Sequence, residues 1–243
     1  MVPQSKPAIM NLPINQILTG DCLEIMRTFP DKSVDLVLTD PPYGINFVPQ
    51  RESRKKALHD IPIANDELQG KNWVEWFLPI SKELHRILKD DSVAYFFSGF
   101  NPYYYYYYYS LMESGFTIKA NLIWIKNNFG MGYHFRRQYE QCLVAFKGEP
   151  KPPEKAISDV IFSDKVSSNS ILHSCQKPED LIAKLLVQYS KEGDIVIDPF
   201  LGSGTTAAVC KMFNRSYIGI EIEPRYVEIA KKRLNSAPTP LFV

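Results

Sequence analysis

Four consecutive residues, Asp40-Pro41-Pro42-Tyr43, bring together a carboxylate, carbonyls on a stiffened backbone and an aromatic ring. Each proline fixes its own φ and biases the residue before it toward extended geometry, so the acceptors lose little further entropy on binding a ligand. That set suits one chemical difficulty: the exocyclic amine of adenine or cytosine is a poor nucleophile, because its lone pair is delocalised into the ring. If Asp40 and the Pro41 carbonyl accept the two amino hydrogens, the nitrogen can shift toward tetrahedral and aim its lone pair at an electrophilic methyl group. Tyr43 would stack on the base. Extruding that base from a duplex costs roughly a few kcal/mol, of which base–aromatic stacking, about 1–3 kcal/mol, offsets part. The chemistry requires neither a metal nor a covalent intermediate. In isolation, the same four residues are more often simply a turn.

A second constellation lies far downstream. Ile195-Val196-Ile197-Asp198-Pro199-Phe200-Leu201-Gly202-Ser203-Gly204-Thr205 reads as an apolar strand, a glycine turn and the opening of a helix. Gly202 and Gly204 would let backbone approach a ligand, and Glu221, 19 positions after Gly202, would accept hydrogen bonds from ribose hydroxyls. A nucleoside ligand follows from this order of parts. The loose dinucleotide fingerprint Gly202-x-Gly204-x-x-Ala207 keeps an NAD or FAD enzyme open as an alternative.

The elements that must position these groups read as α/β, with short apolar runs followed by amphipathic stretches. Strands are expected near Gln16–Thr19, Val34–Thr39, Val93–Phe97, Asn121–Ile125, Cys142–Phe146, Ile195–Asp198 and Tyr217–Glu221. Helices are expected at Trp73–Leu88, where Pro79 should kink or delimit the helix, and at Pro178–Tyr189, Thr205–Met212 and Arg225–Leu234. Residues 46–70 and 148–174 read as long loops, candidates for a mobile lid and a target-recognition insert. The seven tyrosines Tyr103–Tyr109 would be spread around a helix, leaving some exposed. They read as a tolerated helix or an irregularity of the sequence, with base stacking as the functional alternative.

The 243 residues suffice for one domain spanning 1–243, and Cys22, Cys142, Cys175 and Cys210 lack metal or disulfide spacing. Reduced thiols, no apolar run of bilayer length and no leader pattern point to a cytoplasmic protein without a membrane partner. The net charge of +1 argues for no polyanion globally. Between Lys119 and Lys155, however, seven basic residues face three acidic ones, a local excess that could meet phosphates.

The order of Asp40-Pro41-Pro42-Tyr43 before Phe200-Leu201-Gly202-Ser203-Gly204 resembles that of the beta class of amino DNA methyltransferases, a resemblance spanning nearly the whole chain. It implies a circularly permuted Rossmann-like fold, a mostly parallel seven-stranded sheet with helices on both faces, S-adenosyl-L-methionine as cofactor and duplex DNA as substrate. It also implies a homodimer and a cognate restriction endonuclease. Carried over residue by residue, Asp40, Pro41, Pro42 and Tyr43 are catalytic. Asp21 and Cys22, in Gly20-Asp21-Cys22-Leu23, would meet the cofactor's adenine; Lys177, in Gln176-Lys177-Pro178, would approach its methionine moiety; Asp198, Phe200, Gly202, Gly204, Thr205 and Glu221 would form the rest of the cofactor site. Lys126, Arg136 and Arg137 fall in the region beside the DNA cleft. In this family a leading Asp favours N6 of adenine and a leading Ser favours N4 of cytosine. Cytosine, an RNA or protein substrate, and a non-catalytic binding module remain the competing readings.

Overall fold

The computed structural model describes residues 11–46, 63–98, 104–130, 134–165 and 176–236. Eight strands form one sheet: β1 (Gln16–Thr19), β2 (Val34–Thr39), β3 (Leu88–Ser98), β4 (Thr117–Ile125), β5 (Tyr139–Lys147), β6 (Val160–Phe162), β7 (Ile195–Asp198) and β8 (Ser216–Glu221), in the order β1-β8-β7-β2-β3-β5-β4-β6. Five of the seven pairings are parallel; β5 runs antiparallel to both β3 and β4.

The helices are α1 (Cys22–Met26), α2 (Lys71–Ile87), α3 (Tyr104–Glu113), α4 (Glu179–Tyr189), α5 (Thr205–Met212) and α6 (Pro224–Ser236). They cover both faces of the sheet, and the strands show why. Along β3, Ala94 and Phe96 join a core cluster with Trp73, Phe77, Ile80 and Leu84 of α2. The alternate residues Val93, Tyr95 and Phe97 join another with Leu181, Leu185 and Leu186 of α4 and Val209 of α5. The continuous apolar run Val93–Phe97 is what a sheet covered on both sides demands.

Each of the seven expected strands is present, and three features depart from expectation. The sheet has an eighth strand, β6, within the segment read as a loop insert: Ile161 is buried there while β6 pairs with β4. Residues 166–175 of that insert, and 47–62 of the other long segment, lie outside the described residues. Pro79 neither ends nor divides α2. A proline inside a helix costs about 3 kcal/mol, but the buried face from Trp73 through Phe77, Ile80 and Leu84 continues across it, and each such side chain contributes about 1.5–3 kcal/mol. Finally, α1, which was not expected, is a short turn capped by Asp21, whose side chain accepts from the Glu24 amide at 3.1 Å, whereas α3 agrees with the helix reading of the tyrosine run.

Gly204, expected to admit a ligand, also carries a packing constraint. It opens α5 with φ at +83°, and a Cβ there would lie 2.8 Å from Cβ of Ala230 on α6. Glycine is needed for the seating of α5 on α6. Gly204→Ala should therefore lower the unfolding free energy by about 1–3 kcal/mol in urea titrations, from left-handed backbone strain and overpacking together.

Candidate active site

The crossover from β2 to β3 leaves on one side of the sheet's middle and that from β7 to β8 on the other, so β2 and β7 are neighbours with a crevice at their carboxyl ends. Such a switch point is where open α/β sheets bind ligands. Asp40-Pro41-Pro42-Tyr43 directly follows β2, and Phe200–Gly202 follows β7. Both line one cleft of about 1000 Å³, part of it open to solvent.

Asp198 joins the two turns. Its buried carboxylate accepts from Thr39 Oγ1 at 2.8 Å, from Thr206 Oγ1 at 2.7 Å and from the Phe200 amide at 3.1 Å. Burial pushes its pKa up to about 6, against the two threonine hydroxyls and the amide. Asp198 was expected to contact the cofactor; though it borders the cleft, the structure engages both of its oxygens in holding the turns together.

The carbonyls of the Asp40–Tyr43 turn are braced by side chains of α2 and α3, contacts that no local spacing announces. Tyr107, buried on α3, shares its hydroxyl hydrogen between the Pro42 carbonyl at 2.8 Å and the Pro41 carbonyl at 3.1 Å. Trp73 Nε1 donates to the Pro42 carbonyl at 3.0 Å. Gly44, with φ at +68°, turns the chain so tightly that a Cβ would lie 2.4 Å from the Leu68 carbonyl oxygen, and its amide donates to Asp66 Oδ1 at 2.9 Å. The tyrosine run is thus a real helix, and one of its members supports the site. Tyr105, Tyr108 and Tyr109 are exposed, and Tyr103 lies outside the described residues.

Around Asp40 the charges are tightly matched. Tyr43 donates its hydroxyl to Asp40 Oδ1 at 2.5 Å, and Lys177 Nζ donates to Asp40 Oδ2. Burial pushes the Asp40 carboxyl above its ordinary range, which Lys177 opposes without cancelling. Burial likewise keeps the Tyr43 and Tyr107 phenols protonated, so both remain donors. Lys177 was expected beside the methionine moiety; the structure places its ammonium on the Asp40 carboxylate, 5.1 Å from the Phe97 ring and 5.7 Å from that of Tyr43.

On the other wall, Glu221 is buried and takes the Gly202 amide at 2.7 Å on Oε2 and the Glu223 amide at 2.9 Å on Oε1. The carboxylate borders the cleft as an acceptor, the complement of the two hydroxyl donors of a vicinal diol. Gly202 has φ at +54° in the turn, and Phe200 borders the cleft against Trp76 at 5.8 Å. Thr205 lines the cleft while its Oγ1 accepts from Arg233 Nη1 at 2.8 Å, which occupies it. Asp21 and Cys22 do not line the cleft. The pairing of Thr19 with Glu221 brings the end of β1 to the same sheet edge; Asp21 caps α1 there, and Cys22 is buried in the core with its thiol pushed up to about 12.

The three proposed nucleic-acid residues separate. Arg136 and Arg137 are exposed near the tip of the β4–β5 hairpin, where Arg136 lies 4.3 Å over the Phe129 ring. Lys126 is not an open cation: at the root of the hairpin it is half-buried, paired with Glu140 at 2.5 Å and 5.0 Å from the Trp124 ring. Tyr107, Trp73 and Asp66 are site residues that sequence reasoning missed, and Glu140, in the segment that resembles the family's central region, had no role assigned to it. Only the tyrosine run carried any signal of its own.

Comparison with known proteins gives a consistent picture. The sequence profile of the family described as DNA methylase matches residues 34–232. The chain is similar to the putative methylase YubD of Escherichia coli strain K12, 31% identical over 221 residues covering 91% of this chain and 90% of that one. It is also similar to the type II methyltransferase M.HinfI of Haemophilus influenzae, 31% identical over 262 residues covering 93% and 70%. Among solved structures, the M1.HpyAVI–SAM complex superposes with a TM-score of 0.68 at 28% identity, covering 90% of this chain and 98% of that one. The PvuII cytosine-N4-specific DNA methyltransferase shares the fold, with a TM-score of 0.70 at 22% identity over 90% and 85%.

Tyr107→Phe, which keeps the ring and removes the shared donor, should cost about 1–3 kcal/mol of stability in urea unfolding by stranding the Pro41 carbonyl. Tyr105→Phe on the exposed side of the same helix should stay within about 0.5 kcal/mol of the parent.

Proposed function

We propose that this chain, which belongs to the DNA methylase family of N6/N4 amino methyltransferases, methylates the exocyclic N6 of an adenine drawn out of duplex DNA. S-adenosylmethionine is its cofactor and, when bound, supplies an electrophilic sulfonium methyl group. The observation that carries the reading is the sharing of one cleft by the Asp40 carboxylate, at the head of its motif, and the Gly202–Glu221 turn.

The residues divide the work. Glu221 would accept the ribose hydroxyls, with Gly202 and Phe200 shaping the wall beside it. Asp40 and the Pro41 carbonyl would accept the two amino hydrogens, drawing electron density back onto nitrogen and fixing the direction of its lone pair. The Tyr43 hydroxyl orients the carboxylate while its ring offers a stacking surface. Tyr107 and Trp73 hold the turn's carbonyls, so no reorganisation of the backbone is needed when the base arrives.

Arg136 and Arg137 are the cations we assign to the DNA backbone. The hairpin segment Asn127–Gln138 contains no acidic residue, and its aromatics Phe129 and Phe135 are exposed. Lys126 instead anchors the root of the hairpin to the site through Glu140.

Expression in a methylation-free host followed by sequencing of modified bases should reveal N6-methyladenine at one recognition site; N4-methylcytosine would overturn the choice of base. Asp40→Ala should retain cofactor binding by calorimetry while methyl transfer falls by about 10²–10³ or more. Affinity for duplex DNA should drop steeply with added salt, and replacing both Arg136 and Arg137 by Ala should flatten the log–log slope by about 2, near 0.9 per phosphate contact.

A further inference from the structure

Lys177 is 7% exposed and lies between two carboxylates: its Nζ donates to Asp40 Oδ2 and stands 3.3 Å from Glu140 Oε2. Glu140 Oε1 in turn accepts from Lys126 Nζ at 2.5 Å. The series Lys126, Glu140, Lys177, Asp40 alternates in sign and sums to zero. Four separate parts of the chain supply it: the residue after β4, strand β5, the segment before α4 and the turn after β2. Strand order brings them together across a separation of 137 positions between Asp40 and Lys177.

The oxygen that Lys177 occupies is one that an incoming amine needs. An ammonium N–H and an amino N–H are the same kind of donor, and Oδ1 is already bound to the Tyr43 hydroxyl. We propose that Lys177 is a displaceable stand-in for the target amine: it keeps Asp40 ionised and aimed until the base arrives, then passes to Glu140 as the amino group takes its place on Oδ2. Lys177 and Glu140 are thus positioning residues, in an inference that rests on Asp40 being the amine acceptor.

Two carboxylates for one ammonium make the exchange possible without stranding a buried charge, which would otherwise oppose base entry. Burial pushes the Asp40 carboxyl up, and Lys177 is the strongest opposing influence. Glu140 feels the same burial but is held below its ordinary range by Lys177 and Lys126. The other groups facing the pair do not replace Lys177. Tyr43 and Tyr107 are neutral phenols, the Cys142 thiol is pushed up by burial and stays neutral, and Asp198 adds negative charge. A protonated Asp40 would present a hydroxyl donor where an acceptor is needed.

The test compares the full chain with Lys177→Met, Lys177→Arg and Glu140→Gln. Carbon-13 NMR of labelled aspartate, with the Asp40 signal identified by its loss in Asp40→Asn, reports ionisation without turnover. In Lys177→Met the Asp40 midpoint should rise by about one pH unit or more, and the acid limb of the kcat/KM profile on duplex DNA should rise with it. Activity should then be about tenfold low on the acid side and recover as pH rises, while Lys177→Arg restores the parent midpoint. Glu140→Gln should raise KM for DNA more than it lowers kcat. Should Lys177→Met not fold, Lys177→Gln carries the same expectation. An unmoved Asp40 midpoint, or a loss confined to KM for the cofactor, overturns the inference and leaves amine methylation intact. Wild-type protein that methylates neither adenine nor cytosine overturns the function itself.

Discussion

The Asp198 carboxylate is the constraint on which the rest of the site depends. It accepts hydrogen bonds from Thr39 at the end of one strand, from the amide that begins the glycine turn and from Thr206 in the helix that follows. Thr39 precedes Asp40 directly, so the Asp40–Tyr43 turn and the Gly202 turn are referenced to the same buried group. A polar atom buried at a sheet edge is costly unless fully partnered, and here three partners converge on two oxygens. The distance between the two turns is therefore not free to drift, which a reaction between two bound molecules requires.

Around that anchor the site is rigid in its backbone and balanced in its charge. Tyr107 donates to the carbonyls of both prolines and Trp73 to that of Pro42, so the turn is held from the helical layer as well as by its own stiffness, with a second acceptor position left on the Pro41 oxygen. The alternating Lys126, Glu140, Lys177 and Asp40 chain links the hairpin root to the catalytic carboxylate. Low local dielectric makes such a chain stiff when complete and expensive when broken. The exposed Arg136 and Phe135 at the hairpin's far end are thus carried on a structure whose base lies in the active site.

Local and tertiary forces disagree at several points, and the outcome follows their sizes. The helix Lys71–Ile87 accepts Pro79 because a continuous apolar face outweighs one lost hydrogen bond and a steric penalty. The helical tyrosines Tyr104–Tyr109 sort by environment: Tyr107 is buried with a polar partner, Tyr104 and Tyr106 pack partly buried against the core, and Tyr105, Tyr108 and Tyr109 face outward with little to gain. Strand Val160–Phe162 exists because Ile161 is buried where the strand joins the sheet edge, although three residues flanked by serines and aspartates carry almost no pattern of their own.

The sequence by itself determined the class of fold, the seven principal strands, and the order of an acidic proline turn before a glycine turn with Glu221 downstream, since these are written in contiguous runs and local stereochemistry. It also made Asp40 the group around which an amine could be activated. Only the tertiary structure decided which side chains surround that group. Lys177, read as a cofactor residue, meets Asp40; Lys126, read as a phosphate contact, meets Glu140; Gly204 serves helix packing; and Tyr107 emerges from an unexplained run. The physical reason is common to all four. A partner separated by tens of residues is chosen by strand order and helix packing, and those depend on the sum of many weak burials rather than on any spacing near the residue itself.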